Sequence, residues 1–212
     1  MKTSVLLLII FIVLSNKLSV SAEEQKLTIF NTAGLDASTL ELVRAHAEKE
    51  LCIPVVSTNA AIPNPQSLNE IGKQARKTLN LKDSCLIVLG IPTTSSVQHY
   101  EIMPGEQTAI INVRALSSTN SVKYLQRLQR LTLRTTAIIF GVGMDLDPHC
   151  VMHEYKTLDD LDLLGINFSP PWGAKFRQAA KAHGLQVRPQ FQGPRPGMTK
   201  VVQPPPPLPK GN

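Results

Sequence analysis

Cysteine is scarce in this 212-residue chain, and its count is odd. Cys52, Cys85 and Cys150 cannot all pair among themselves, so a disulfide framework is excluded and at least one thiol stays free. Cys52 and Cys85 read as small buried hydrophobes at the starts of strands. Aromatic residues are few, at 5%, while Ile, Leu, Val and Ala dominate, which is the composition of helices packed on a sheet. No glycine-rich phosphate loop or Gly-x-Ser-x-Gly elbow occurs. Gly141 and Gly143 lack both a third glycine and a preceding strand.

Acidic residues are absent after His183, where Arg188, Arg195, Lys200 and Lys210 remain. Residues 23–183 carry 16 acids and 16 bases, so the net charge of +6 belongs to the ends of the chain rather than to its body. That distribution argues against a nucleic-acid-binding core. Long apolar runs are also missing apart from residues 5–14, which are too short to cross a hydrocarbon layer of about 30 Å as a helix. With Lys2 before this run and Val20-Ser21-Ala22 after it, residues 1–22 have the layout of a secretory signal peptide. The expectation is a secreted or extracytoplasmic protein without a membrane span.

What is present begins as alternating strands and helices. Residues 27–30 predict a first strand, followed by a helix capped by Asp36 or Ser38 and running to Glu50. A second strand is expected over 52–57. Ser67-x-x-Glu70 caps a helix to Leu79, and residues 86–89 give a third strand. This order predicts an α/β fold with a mostly parallel sheet and right-handed crossovers. Residues 98–103 and 108–113 flank a compact loop and predict a hairpin that adds one antiparallel, exposed edge strand.

Residues 121–140 form the longest helical pattern, with Val122, Leu125, Leu128 and Leu131 at helical spacing. Lys123, Arg127, Arg130 and Arg134 make a second, basic face, expected to be solvated. The pattern breaks at Gly141, passes Asp145, Asp147 and His149, and reaches Cys150-Val151-Met152. Residues 171–183 predict a closing helix packed through Trp172, Phe176 and Ala179 or Ala180. From Gly184 onward, eight prolines in 29 residues predict a disordered, basic, polyproline-prone tail over 184–212.

Residues 27–183 resemble the archaemetzincin branch of the metzincin zinc metalloproteases. The likeness includes Asn64-Pro65 before the second helix, Arg114-Ala115-Leu116 before the long helix, Cys150-Val151-Met152, and Leu158-Asp159-Asp160-Leu161-Asp162. The metzincin pattern is a helix bearing His-Glu-x-x-His, a glycine bend, a third histidine and a methionine turn under the zinc. Histidines four apart share a helix face, and the glutamate between them polarises zinc-bound water. The resemblance implies a three-layer fold with a long former active-site helix.

Aligning Cys150 and Met152 on the family's second structural cysteine and its methionine puts Gly141 on the bend. The same count puts Arg134, Ile138 and Met144 at the three zinc-binding histidines and Thr135 at the general base. Asp145 falls on the first structural cysteine. The later cysteine pair falls on Pro170 and Gly173 or, shifted by one residue, on Ser169 and Trp172. Guanidinium and an aliphatic chain have no lone pair for zinc, so the resemblance implies a pseudoenzyme with no catalytic residues and no cofactor.

A rebuilt metal site is the rival reading. His149, Cys150, His153 and Glu154 are the densest donors in the chain, and zinc would be the cofactor of a hydrolase or peptidase there. The leading expectation is instead a binding module. An extended peptide or protein ligand would add to the sheet edge at Tyr100, Glu101, Ile102 and Met103, since metzincins hold substrates that way. A third reading is a structural or surface-associated protein acting through the proline-rich tail.

Overall fold

The run Leu-Thr-Ile-Phe-Asn forms β1 (Leu27–Asn31), buried along its whole length because both faces of the sheet are covered. This computed structural model describes residues 26–63, 65, 67–80 and 85–189. The expected signal peptide, Asn64 and the tail beyond residue 189 lie outside the described residues.

Asp36 caps α1 (Ala37–Leu51) by accepting from the amide of Thr39, and Leu40, Val43, Ala47 and Leu51 form its inner face. Then come β2 (Val55–Asn59), α2 (Leu68–Leu79) capped by Ser67, and β3 (Leu86–Gly90). The hairpin is β4 (Tyr100–Met103) and β5 (Thr108–Asn112), joined through a 3-10 turn at Pro104–Glu106. After a second such turn at Arg114–Leu116 come α3 (Ser121–Ile139), α4 (Leu158–Leu163) and α5 (Pro170–Ala182).

The sheet has the order β2-β1-β3-β5-β4, parallel except for the β4–β5 pair. The fold is thus α/β with one antiparallel edge strand. Successive side chains alternate between two cores. Ile29, Ile87, Leu89 and Ile111 meet α1, α3 and α5 on one face, while Phe30, Val88 and Ile110 meet α2 on the other. Gly72 lets α2 close on the sheet, because a Cβ there would lie 2.7 Å from Met103 Sδ. No helix among the described residues is long and apolar enough to cross a membrane.

Four expectations are corrected. The second strand starts at Val55 rather than Cys52, because Cys52 closes α1 in a left-handed conformation (φ 55°) with its N–H donated to Glu48 O. The basic face of α3 is not solvated: Arg127, Arg130 and Arg134 are 6%, 4% and 3% exposed. Of that set only Lys123 reaches solvent. The closing helix begins at Pro170, where proline suits the first turn. Finally, residues 184–189 pack instead of leaving the domain. Leu185 is buried, and Arg188 donates its amide to Cys52 O (2.7 Å) and a guanidinium N–H to Glu48 Oε1 (2.7 Å).

Candidate functional site

The C-terminal end of α3 is closed by two hydrogen bonds that need a left-handed residue after the cap. Gly141 N–H donates to Ile138 O (2.9 Å) and Val142 N–H to Ala137 O (3.0 Å), with Gly141 at φ 74°. The chain therefore turns back along α3, and Met144 returns to face Arg134.

Arg134 occupies the centre of this arrangement. Its Nη1 donates to Val151 O (3.1 Å) and His153 O (2.5 Å), its Nη2 to Met144 Sδ (3.0 Å), and its guanidinium lies 5.0 Å from the centre of the Tyr155 ring. The Nε of Arg134 is buried without a partner. Thr135 is fully buried, with its hydroxyl bonded back to Leu131 O (2.7 Å). Ile138 is packed against the larger core. Of the three positions where the resemblance expects zinc ligands, two touch each other and the third is apolar. The donor set does not fit a zinc ion: the guanidinium is a cation, and the thioether already accepts its N–H.

The turn below is held by its own polar groups. Asp145 accepts from the Ser169 hydroxyl (2.6 Å) and the Asp147 amide (3.2 Å), and Asp147 accepts from the His149 amide (2.9 Å). Cys150 Sγ accepts from the amides of Met152 (3.4 Å) and Ser169 (3.3 Å). Trp172 Nε1 donates to Gly143 O (2.8 Å). The one-residue-shifted placement, Ser169 with Trp172, is thus the pair that lies against Asp145, Cys150 and Gly143. Burial raises the Cys150 thiol despite the amides that favour its thiolate. Burial also works against the Asp145 carboxylate, but the Ser169 and Asp147 hydrogen bonds prevail and its pKa is lowered.

The donors of the rival reading do not come together. His149 and Glu154 are exposed, Cys150 is fully buried, and the His153 ring faces Asp145 O through Nδ1 (3.0 Å). Among the described residues no three His, Cys, Asp or Glu side chains are grouped to hold a metal ion. The turn places adjacent side chains on different sides, and Gly165 packs directly on His149 O.

Two further arginines tie the C-terminal segments to α3. Arg127 forms a two-pronged pair with Asp162 (2.8 and 2.7 Å) and donates to Leu116 O and Ser117 O. Arg130 donates to Leu164 O and Asp162 O, and its burial pulls its pKa below the ordinary value. Sequence reasoning missed these roles. The available signal was chemical: arginine, with its planar fork, stands at each buried position and lysine at the exposed one.

At the edge strand, Asn112 N–H donates to His99 O (2.9 Å), which makes 99 and 112 a hydrogen-bonded pair. By the alternation of an antiparallel ladder, Glu101 and Met103 turn their backbone groups to β5, and Tyr100 and Ile102 turn theirs outward. The Tyr100 carbonyl already accepts from Gln98 Nε2 (2.8 Å). Side chains join this edge to α3. The His99 ring stacks on Tyr155 (5.7 Å, 11°), with Nδ1 3.3 Å from the Tyr155 hydroxyl, and Tyr155 packs over Arg134. Burial lowers the His99 pKa, with Arg127 adding to the effect, and raises that of Tyr155 well above the usual phenol.

No family model and no curated protein matches the chain. Solved structures do. An archaemetzincin from Methanopyrus kandleri is similar over 77% of this chain and 99% of its own, at 19% identity and a TM-score of 0.59. An archaemetzincin from Archaeoglobus fulgidus, complexed with malonate, matches 71% of this chain and 99% of its own, at 14% identity and a TM-score of 0.57. A zinc-dependent peptidase from Methanocorpusculum labreanum gives the same coverage and identity, with a TM-score of 0.56. The chain has the archaemetzincin fold.

Proposed function

We propose that this chain is an exported, catalytically inactive archaemetzincin-like protein that binds an extended peptide or protein segment along the open edge of β4. The observation that carries the loss of catalysis is the Arg134 fork on Val151 O, His153 O and Met144 Sδ. It puts a fixed positive charge where the family's mechanism needs a metal to lower the pKa of water. Thr135, bonded to Leu131 O, supplies no carboxylate base. The binding role rests on the outward N–H groups of Tyr100 and Ile102 and the outward carbonyl of Ile102 at the end of the sheet. Export rests on the layout of residues 1–22 alone.

Two measurements test this reading. Metal analysis after exposure to zinc and dialysis is expected to return no stoichiometric metal. Bound metal that disappears on replacing His149 and His153 by alanine would establish the rebuilt site instead. Random extended peptides are expected to bind the unaltered protein and to bind Ile102→Pro at least about tenfold more weakly. That proline removes an outward N–H and leaves the β5 ladder intact. Equal binding to both proteins would place the ligand elsewhere.

A further inference from the structure

The edge strand ends in a cavity. Just before Tyr100, a pocket of about 350 Å³ is lined by Thr94, Ser95, Ser96, His99, Asn112 and Arg114, among others, and no carboxylate lines it among the described residues. Asn112 builds its walls. Buried at 1% exposure, that side chain donates to Ser96 O (3.2 Å) and Gln98 O (3.0 Å) and accepts from the Ala115 amide (3.3 Å). The loop before β4 is thereby fixed against the Arg114–Leu116 turn. Asn112 has spent its donors on this bracing, so the remaining charge in the pocket is that of Arg114.

Arg114 is exposed, and among the described residues its guanidinium has no hydrogen-bond or ion-pair partner. The contrast with Arg127, Arg130 and Arg134 is chemical. Those three forks are taken up by carbonyls, a carboxylate and a thioether, whereas Arg114 stands free beside a row of hydroxyls. A guanidinium fork in a pocket without acids is matched by a carboxylate, which it binds through two parallel N–H donors.

Direction decides which end of a ligand arrives there. A strand added antiparallel to β4 pairs with the outward N–H groups of Tyr100 and Ile102 and the outward carbonyl of Ile102, and runs from the Met103 end toward His99. Its C-terminal end then reaches the pocket. We infer that the pocket takes the carboxylate at the C-terminal end of a peptide docked on β4, with Arg114 as its partner and as the residue that sets specificity. The inference rests on the edge-strand reading above.

The test uses the mature chain and three pools of random octapeptides: free acids, C-terminal amides, and amides ending in aspartate. Binding is measured for the unaltered protein, Arg114→Gln and Ile102→Pro. Free acids are expected to bind about fivefold to tenfold more tightly than amides, and Arg114→Gln to erase that preference. If the aspartate amides match the free acids and lose the advantage in Arg114→Gln, the pocket reads a carboxylate from a side chain as well. If acids and amides bind equally and only Ile102→Pro weakens them, the edge reading stands and the carboxylate inference is overturned. If no pool binds any of the three proteins, both fail.

Discussion

Arg134 Nη2 lies 3.0 Å from Met144 Sδ, so the two ends of the glycine bend are joined by a side-chain contact across the turn. Between them the same guanidinium holds the carbonyls of Val151 and His153. In the resemblance Arg134 and Met144 stand at two of the ligands of one metal ion. Here a covalently attached cation joins the same segments.

Replacing Arg134 by methionine is therefore expected to cost stability. The buried Val151 carbonyl and the part-buried His153 carbonyl lose their donor, at about 1–3 kcal/mol each with the second toward the low end, partly offset by releasing a guanidinium whose Nε is itself unpaired. A net loss of about 3 kcal/mol corresponds to roughly 6–12 °C in a domain of this size. Thermal unfolding checks it. Arg134→Lys should recover little, because one ammonium cannot reproduce the fork. A melting point unchanged in Arg134→Met would remove the structural role.

The Arg127–Asp162 pair predicts an acid limit. The hydrogen bonds from Arg127 hold the Asp162 carboxyl below its ordinary value, so its contribution is fully present above about pH 4 and lost as pH falls through the lowered value. Asp162→Asn should cost about 3 kcal/mol at neutral pH, because it leaves the buried Arg127 without its carboxylate. It should also flatten the fall in stability below pH 4. Urea unfolding between pH 2 and 7 measures both.

Two glycines should respond differently to alanine. Gly141 sits at φ 74° with open space around a would-be Cβ, so the substitution carries only the left-handed penalty of about 1–2 kcal/mol. At Gly165 a Cβ would fall 1.7 Å from His149 O, so the Met152 turn or the 165–169 segment has to move. Gly165→Ala is expected to lose at least twice as much stability as Gly141→Ala in side-by-side denaturant titrations. Equal losses would mean the contact relaxes freely.

The strand order and the two cores follow from patterns that leave direct marks. Apolar runs at residues 27–30 and 86–89, capping at Asp36 and Ser67, and the Pro104-Gly105 loop each specify a local geometry. The fate of the arginines left no such mark. Their partners are mainly backbone carbonyls at 116, 151, 153 and 164, which every residue type provides equally. The side-chain acceptors are Asp162, 35 residues from Arg127, and the Met144 thioether, which no charge pattern marks. Cys52 as a left-handed helix end was equally hidden, since that conformation is usually signalled by glycine. The outward direction of Tyr100 and Ile102 depends on which residue faces Asn112, and that register belongs to the folded hairpin.

Residues 127, 130 and 134 each hook a segment that follows or precedes α3 in the chain, and their spacing puts them on one side of the helix. Turning or sliding that helix by one residue would unhook all three together and bury their charges unpaired. The helix, the Met152 turn and the segment around Leu164 are therefore expected to open as one unit, which amide hydrogen exchange would report as a shared opening free energy across the three segments.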